Sequence, residues 1–301
     1  MISIIIILKN DLDIVETISF LNKQNYNGEF EIIVIDRSTI KYPSITSKIS
    51  LKWIIFDPKE KKYTIPEQRN RGIKESSGDI ICFIDANCIP KTNWLSKLVA
   101  PIKLENENIV AGVTLSKNRA TLNDISYFKL GKTKYIDESG TNNLTFKKSI
   151  IKRVGLFDEN LEYGSDVDFT WRAINAGYRI RFEPEAISYH DWGDTKEETK
   201  RSLLYGKGRT RILIKNIKTH WRNLFSKDSP VLLYPTLILL LPVTIIFPLY
   251  PLVFLLLVLK NYKEPNPIEI VLKHIVYGWG VIIEVTNQLL NYVQKKIKSI
   301  N

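Results

Sequence analysis

The sequence predicts an α/β fold in which helices flank a doubly wound sheet. Residues 3–8, 11–23 and 31–36 alternate strand, helix and strand patterns over about 36 residues, the length of one βαβ unit. Ile80–Ile84 is an uninterrupted apolar run, which is typical of a strand buried on both faces of a parallel sheet. Because the alternation continues along the chain, we expect right-handed crossovers between parallel strands.

The other elements of this domain follow in order. Apolar residues at 51–56 predict a third strand, and Pro66 is expected to open a helix that runs through Lys74, since proline fits the first helical turn. The periodicity then predicts a helix at 92–100, a strand at 108–114, and two alternating edge strands at 178–182 and 186–189.

Composition limits the partners and the compartment. With 301 residues, of which 44% are hydrophobic, the chain can bury the core of one large domain or two small ones. The net charge of +11 suggests an anionic partner: nucleic acid, phospholipid headgroups or a phosphorylated substrate. Two cysteines, Cys82 and Cys88, cannot form a disulfide framework, so we expect structural thiols in a reducing compartment. The first eight residues lack a basic n-region and a cleavage site, so we expect a core strand and a cytoplasmic domain.

Polar side chains follow the buried strand at 80–84. Asp85 and Asn87 stand at its carboxyl end, where parallel sheets bind ligands. With one residue between them, both side-chain oxygens can turn toward one hard cation such as Mg²⁺ or Mn²⁺. The alternative is an Asx turn at the end of the strand, where Asp and Asn are common for local hydrogen-bonding reasons.

A longer pattern surrounds this pair. Residues 69–87 read R-N-x-G-x-x-x-S-x-G-D-x-I-x-F-I-D-x-N. This pattern resembles the nucleotide-sugar-binding core of the inverting family 2 glycosyltransferases, in which the last motif is usually Asp-x-Asp. The resemblance covers roughly residues 1–212 and implies a GT-A fold, that is, a Rossmann-like, doubly wound mixed sheet.

A second motif lies at 155–172. Asp166 and Asp168 precede Phe169, Arg172 and Ala173 at helical spacing, so both carboxylates fall on the first turn of a helix. One interpretation is capping, because the helix dipole favours acidic residues there. The wider run also resembles family 2 glycosyltransferases, which carry Gly-Phe-Asp-Glu and then Glu-Asp-x-Asp-Leu-x-x-Arg. By position Asp166 matches the catalytic base, and Ser165 replaces the usual Glu.

The resemblance implies a set of roles for particular residues. Residues 115–145 show weak periodicity, and we expect acceptor-facing loops there. His190 follows a strand, where a lone His ordinarily belongs to the surface or the core; in the family a His there often completes the metal or diphosphate site. The implied roles are nucleotide and donor binding by Asp36, Arg69, Asp85, Lys207 and Arg209, divalent metal binding by Asp85, Asn87 and His190, and acceptor-side contacts by Asp168, Trp171 and Arg172.

The C-terminal part of the chain indicates a membrane. Nine Lys or Arg and no acid occur between Lys200 and Lys227. The part of this block that includes Lys207 and Arg209 can close over a sugar diphosphate, or the block can lie on anionic headgroups, with 213–229 as a juxtamembrane segment. Residues 230–259 carry no charge, and a stretch of this length is enough for a helix that crosses a membrane. Its four interior prolines favour either one kinked helix or a re-entrant pair of short helices.

An amphipathic pattern at 268–292 completes the predicted membrane region, 230–301. Its polar stripe of Glu269, Lys273, Glu284, Asn287 and Asn291 can face water at the interface, or face a partner helix if the helix spans. The basic tail and the block at 200–227 both belong on the cytoplasmic side by the positive-inside rule, which leaves two crossings or none. Homo-oligomers through this region are compatible with the pattern.

These observations predict a membrane-anchored, metal-dependent, inverting glycosyltransferase of hexosyltransferase type, acting on a membrane-associated, lipid-linked acceptor. Leu8, Asn87 and Ser165 depart from the family pattern, so the alternative is a membrane-tethered scaffold that binds nucleotide-sugar or glycan without turnover. Nucleic-acid binding is disfavoured, because no recognition motif accompanies the basic block.

Overall fold

The structure divides the chain into two compact units. It is a computed structural model that describes residues 1–56, 63–117, 133–226, 228–264 and 266–299. The units are Met1–Trp192 and Gly193–Asn301, and each is described by itself. The division lies before the predicted boundary at 212, because the helical segment Thr195–His220, which kinks at Asn216, belongs to the second unit.

The first unit alternates strands and helices as the sequence predicts. Its strands are β1 (Ile2–Leu8), β2 (Phe30–Asp36), β3 (Ser50–Ile55), β4 (Ile80–Ile84), β5 (Cys88–Pro90), β6 (Ile109–Ser116), β7 (Tyr135–Ile136), β8 (Asn143–Lys147) and β9 (Ile180–His190). Its α-helices are α1 (Ile14–Leu21), α2 (Ile65–Glu75), α3 (Trp94–Leu104), α4 (Ile151–Val154) and α5 (Ser165–Asn175).

One mixed sheet contains all the strands of the described part of the chain. Its order is β3-β2-β1-β4-β8-β6-β9-β5, and β7 pairs with β9. The first four strands in this order are parallel, β8 is antiparallel to both of its neighbours, and β6 and β9 are parallel. The predicted mixed α/β sheet is therefore confirmed.

The central strands are buried on both faces. Every residue of β4 is buried, as its apolar run predicts. Alternate residues of β1 belong to two different hydrophobic cores, one on each face of the sheet. Ile4 and Ile6 pack with α1 and α3, whereas Ile5 packs with the aromatic side chains of the opposite face. Two packed faces hold the strand ends in fixed positions, which is what a site at those ends requires.

The C-terminal half of this unit differs from the prediction. The two expected edge strands are one strand, β9, which lies between β6 and β5. Its pairing with β6 jumps from Ala111↔Phe182 to Val113↔Ile187, so the exposed residues between them interrupt the alternation and suggested two strands. Strands β5, β7 and β8 were not predicted. The expected loops at 115–145 include residues 118–132, which lie outside the described residues.

The second unit is helical. Its α-helices are α6 (Thr195–His220), α7 (Pro230–Leu239), α8 (Leu252–Lys260) and α9 (Pro267–Lys298), and 3₁₀ turns occupy Trp221–Phe225 and Leu241–Ile245. The uncharged stretch is thus divided between α7, a turn and α8. Within the described ranges, no helix combines the length and the apolarity that a membrane crossing requires.

Helices α6 and α9 pack closely at small residues. A Cβ on Gly206 would stand 2.1 Å from the carbonyl oxygen of Tyr277, and one on Gly280 would stand 2.2 Å from that of Leu203. Glycine therefore allows the two backbones to touch.

Part of the predicted polar stripe of α9 faces α6. Lys273 pairs with Glu198 and Glu269, and Arg211 Nε lies 2.7 Å from an oxygen of the fully buried Glu284. A helix of the same chain thus covers these charges, so this part of the stripe faces a helix and not water. Asn287 and Asn291 remain exposed.

Candidate active site

The carboxyl ends of β1, β2 and β4 meet at one edge of the sheet. Their parallel register pairs Leu8 with Asp36 and Ile5 with Phe83, so Asp36 and Asp85 leave the sheet on the same side. Asp36 is nearly buried: its Oδ1 accepts from the Ser38 amide at 2.8 Å, and its Oδ2 accepts from Trp53 Nε1 at 3.0 Å. These two donors fix the carboxylate in position beside the expected nucleotide.

Asp85 and His190 form a pair. The antiparallel pairing of β5 with β9 sets His190 opposite Cys88, and Nε2 of His190 lies 3.5 Å from Oδ2 of Asp85. Burial alone would raise the pKa of Asp85, but the hydrogen bond and charge of His190, with the charge of Arg69, lower it below its usual value. The His190 ring stacks on Trp192 with centroids 4.0 Å apart, which fixes the ring plane.

Asp11 joins this pair although the sequence did not suggest it. It lies in the loop after β1, where its Oδ1 accepts from the Asp13 amide at 3.0 Å. The pKa of Asp11 is raised above its usual value, mainly by burial and further by the charges of Asp13 and Asp85. The bond from the Asp13 amide and the charge of His190 act in the opposite direction. An acidic residue three positions after the end of the first strand is the signal that could have identified it.

The donor atoms at this edge suit a divalent cation in part. In the described ranges, no group of three or more His, Cys, Asp or Glu side chains could hold a metal. Two ligands of one small cation lie about 3.0–3.4 Å apart at bond lengths near 2.1 Å, close to the 3.5 Å between Asp85 and His190. Mg²⁺ typically takes one or two protein carboxylates and completes its shell with water and substrate phosphate. Asp85 supplies one such carboxylate, beside His190, and metal binding by the two stays a prediction.

Asn87 remains a predicted ligand. Its Nδ2 donates to the carbonyl oxygen of Asp191 at 3.2 Å. This bond uses the side-chain nitrogen and not the side-chain oxygen of Asn87. It also holds the side-chain amide beside the end of β9. Metal binding by this oxygen stays a prediction.

Helix α2 carries Arg69 to the site. Thr64 and Glu67 form a capping box at its start, with Pro66 in the first turn. Gln68 Nε2 donates to the carbonyls of Leu8 at 3.1 Å and Ile35 at 2.7 Å, which ties the helix to the ends of β1 and β2. A Cβ on Gly72 would stand 2.4 Å from a methyl carbon of Ile5, so glycine allows α2 to lie directly on β1.

Asn70 joins the two sequence motifs. Its Nδ2 donates to the Phe157 carbonyl and to Glu159 Oε1, both at 2.9 Å, and its Oδ1 accepts from the Phe157 amide at 2.9 Å. It is buried, so these bonds are shielded from water. The sequence did not reveal this role, because a polar residue on a helix has the same local pattern whether it faces water or a distant loop.

Arg69 contacts the start of α5. Its Nη1 donates to Ser165 Oγ at 2.8 Å, and its Nη2 lies 3.5 Å from Asp166 Oδ2. Gly164 precedes the helix with φ of 84°, a conformation that favours glycine and that turns Ser165 and Asp166 into the first turn. The Asp166 side chain is 21% exposed, so its carboxylate is held at one side and open at the other.

The three predicted acceptor-side residues have internal partners. Asp168 is fully buried, and its Oδ2 accepts from Arg172 Nε at 2.8 Å. Arg172 also donates to the carbonyls of Val154 and Leu156. Trp171 is fully buried and donates from Nε1 to a Glu138 oxygen at 3.1 Å. These bonds position α5; acceptor contact by the three residues stays a prediction.

Lys207 and Arg209 lie within α6, in the second unit. The glycine-rich segment around them is helical, with Gly206 and Gly208 buried. Arg209 Nε lies 2.6 Å from Asp228 Oδ1. Donor binding by these two residues stays a prediction.

Comparison with known proteins places most of the first unit in one family. Residues 3–152 match the family described as glycosyl transferase family 2. The chain is 27% identical over 226 residues to glycosyltransferase AglE of Haloferax volcanii, covering 70% of this chain and 73% of that protein. It is 31% identical over 139 residues to the pre-mycofactocin glycosyltransferase of Mycobacterium tuberculosis, covering 41% of this chain but only 29% of that relative.

Solved structures share the fold. The mannosyltransferase PcManGT from Pyrobaculum calidifontis, in complex with GDP-Man and Mn²⁺, aligns with a TM-score of 0.66 and 14% identity over 94% of this chain and 86% of that one. S. aureus TarS 1–349 in complex with UDP aligns with a TM-score of 0.51 and 17% identity over 76% of this chain and 77% of that one. At these identities the likeness concerns the fold.

Proposed function

Because residues 3–152 form a glycosyl transferase family 2 domain, we propose that this protein transfers a sugar from a nucleotide-sugar donor to a membrane-associated acceptor with inversion of the anomeric carbon. The two relatives described above are glycosyltransferases by name. The structural neighbours hold GDP-Man or UDP, which supports a nucleotide-sugar site at the ends of β1, β2 and β4.

Asp166 carries the proposal. Its carboxylate stands at the start of α5, partly open to solvent and 3.5 Å from Arg69. It takes the proton of the acceptor hydroxyl as that oxygen attacks the anomeric carbon, and the bond to the diphosphate breaks on the opposite face. The nucleoside diphosphate leaves with the bonding electrons. A single displacement of this kind inverts the anomeric configuration.

The donor side uses the residues at the strand ends. Asp36 and Arg69 hold the nucleotide, and Asp85, Asn87 and His190 would hold a divalent metal, Mg²⁺ or Mn²⁺. A metal bound there neutralises the charge that develops on the departing diphosphate. Mn²⁺ in the PcManGT complex supports this choice of cofactor. Lys207 and Arg209 are further candidates for the diphosphate.

The acceptor is proposed to be lipid-linked. Residues 230–259 carry no charge, and basic residues precede them, so the second unit suits a membrane surface on the cytoplasmic side. A catalytic domain tethered in this way meets acceptors in the plane of the bilayer, such as a sugar on a polyprenyl phosphate. Homo-oligomers through the second unit are compatible with the same surface.

The test is nucleotide release from a panel of nucleotide-sugars by the full chain in native-like membranes, with and without Mn²⁺. We expect release from one donor, dependent on the metal. Asp166→Asn should lower the release at least about 100-fold, the range for loss of a general base, while donor binding persists. The amide keeps the shape of the carboxylate but cannot take the proton.

Two results would redirect the proposal. Native-rate release by Asp166→Asn would remove Asp166 as the base. Donor binding without release by the unaltered protein, repeated across lipid acceptors, would favour the scaffold, with Leu8, Asn87 and Ser165 as the departures that explain the loss of turnover.

A further inference from the structure

The second unit leaves an apolar surface uncovered. We call residues 239–259 the apolar surface; they include the 3₁₀ turn Leu241–Ile245 and most of α8. Ile245 and Ile246 are 87% and 88% exposed. Helix α8, all of which the structure describes, has no buried residue. Exposed apolar surface of this extent marks a site where another molecule or a lipid phase binds.

Helix α7 shows that the apolar surface is not simply part of the core. Val231, Tyr234 and Ile238 are buried along one stripe of α7, at the spacing that a packed amphipathic helix shows. Gly278 of α9 lies against that stripe, where an added Cβ would approach Tyr234 Cβ to 2.9 Å. The fold of the unit therefore uses α7 internally and leaves α8 outside.

Basic and aromatic side chains flank the uncharged stretch in the sequence. Trp221 and Tyr262 are exposed, and each has a cation near its ring: Arg222 at 5.4 Å and Lys263 at 5.6 Å. Trp and Tyr favour the interface between lipid and water, and Lys and Arg favour anionic headgroups. Lys260, at the end of α8, adds a further positive charge.

The same charges argue for lipid as the occupant. A second copy of the chain would bring its own basic residues to the rim of the same surface, and like charges at an interface are unfavourable. An anionic lipid surface offers acyl chains to the uncharged stretch and phosphates to its two ends. Both parts of the surface then have a complementary partner.

The helix lengths limit how deep the contact goes. Helices α7 and α8 contain 10 and 9 residues, about 15 and 14 Å at 1.5 Å per residue. A bilayer core is about 30 Å thick, so α8, the helix that the unit leaves exposed, is long enough for one leaflet only. The turn at 241–251 joins them.

We propose that residues 239–259 insert into one leaflet of an anionic bilayer, with Lys260 and Lys263 at one edge and Arg222 at the other binding lipid phosphates. This inference deepens the proposed function, because it names how the membrane of the acceptor is contacted. Its test measures binding, so it fails or succeeds independently of sugar transfer.

The first experiment is co-flotation of the purified full chain with vesicles of phosphatidylcholine alone or mixed with phosphatidylglycerol. The double variant Ile245→Glu, Ile246→Glu should bind at least about tenfold more weakly, because two charges would enter hydrocarbon. Leu104→Glu is the matched control: Leu104 is 83% exposed at the end of α3, outside the apolar surface, and its variant should bind normally.

A second experiment tests the role of the two lysines and whether lipid or a second copy of the chain covers the apolar surface. Lys260→Gln with Lys263→Gln should weaken binding to the anionic vesicles about fivefold per lysine, as about 1 kcal/mol per basic residue implies, and should leave neutral vesicles unaffected. If the isoleucine variant instead dissociates an oligomer in the absence of lipid while flotation is unchanged, the apolar surface is an interface between copies and the proposal is wrong.

Insertion depth has its own measurement. An Ile246→Cys protein bound to vesicles is treated with a membrane-impermeant maleimide outside, or enclosed inside, the vesicles. Protection from both reagents supports insertion into one leaflet. Labelling from the enclosed side would mean that the segment crosses, and labelling from outside would mean that it does not insert; either result overturns the proposal.

Discussion

Arg69 Nη2 stands 3.5 Å from Asp166 Oδ2, and the same guanidinium donates from Nη1 to Ser165 Oγ at 2.8 Å. The resemblance implied nucleotide binding by Arg69 and the role of catalytic base for Asp166. The structure places them in contact, and the charge of Arg69 also helps to lower the pKa of Asp85. One buried cation thus interacts both with the proposed base, Asp166, and with Asp85, which is proposed for the donor side.

Arg69→Lys should separate these two roles. Lys is a point charge that cannot donate from two fixed nitrogens to Ser165 and Asp166 at once. If Arg69 mainly orients the base, kcat should fall at least about tenfold while KM for the donor changes little. A rise in KM at unchanged kcat would assign Arg69 to the nucleotide instead. Arg71→Lys, on the exposed side of α2, is the matched control.

Asn87→Asp should tighten Mn²⁺. The variant adds a charged oxygen beside Asp85 and His190, and carboxylates are stronger ligands of hard cations than amides are. We expect about tenfold tighter binding, measured from the electron paramagnetic resonance signal of free Mn²⁺ with donor present, and a lower metal requirement for release. Asn175→Asp, on the exposed end of α5, controls for net charge. Unchanged Mn²⁺ binding would place Asn87 outside the coordination sphere.

Arg172→Ala should destabilise the first unit. Its removal takes the guanidinium from the fully buried Asp168 and two donors from the carbonyls of Val154 and Leu156. Loss of one partner of a buried pair costs about 3–5 kcal/mol, so we expect Tm to fall by at least about 6 °C. Lys152→Ala, an exposed change nearby, should leave Tm unchanged. Normal Tm with a raised acceptor KM would instead support the acceptor-side role.

The sequence predicted those parts of the site that local patterns encode. Two such parts are the apolar run of β4 that is followed by Asp85 and the acidic first turn of α5. Each can be recognised from a pattern of residue types within a few positions of the sequence. The hydrogen bonds of Asn70 to Phe157 and the position of β8 between β4 and β6 depend on partners far along the chain, which no local pattern contains. The need for glycine at 206 is likewise set by a distant partner, since the carbonyl of Tyr277 leaves no room there for a Cβ.

The two cysteines should be unreactive in the folded protein. Burial raises the pKa of Cys82 to about 12, although its bond to Thr145 acts in the opposite direction, and burial raises the pKa of Cys88 well above its usual value. Because the thiolate is the nucleophile, a rise from 9.0 to about 12 leaves about a thousandfold less of it at pH 8. A raised pKa also means that these thiols stabilise the fold below pH 9, and that this contribution is lost as the pH rises toward 12.

Maleimide labelling at pH 8 tests this prediction. The native chain should label at least about a thousandfold more slowly than the same chain in guanidinium chloride, where both thiols titrate normally. Glutathione in the same reaction controls for reagent activity. If Cys82 labels in the native chain at the glutathione rate, then β4 opens to solvent on the timescale of the assay, and the rigid strand end that positions Asp85 is not maintained.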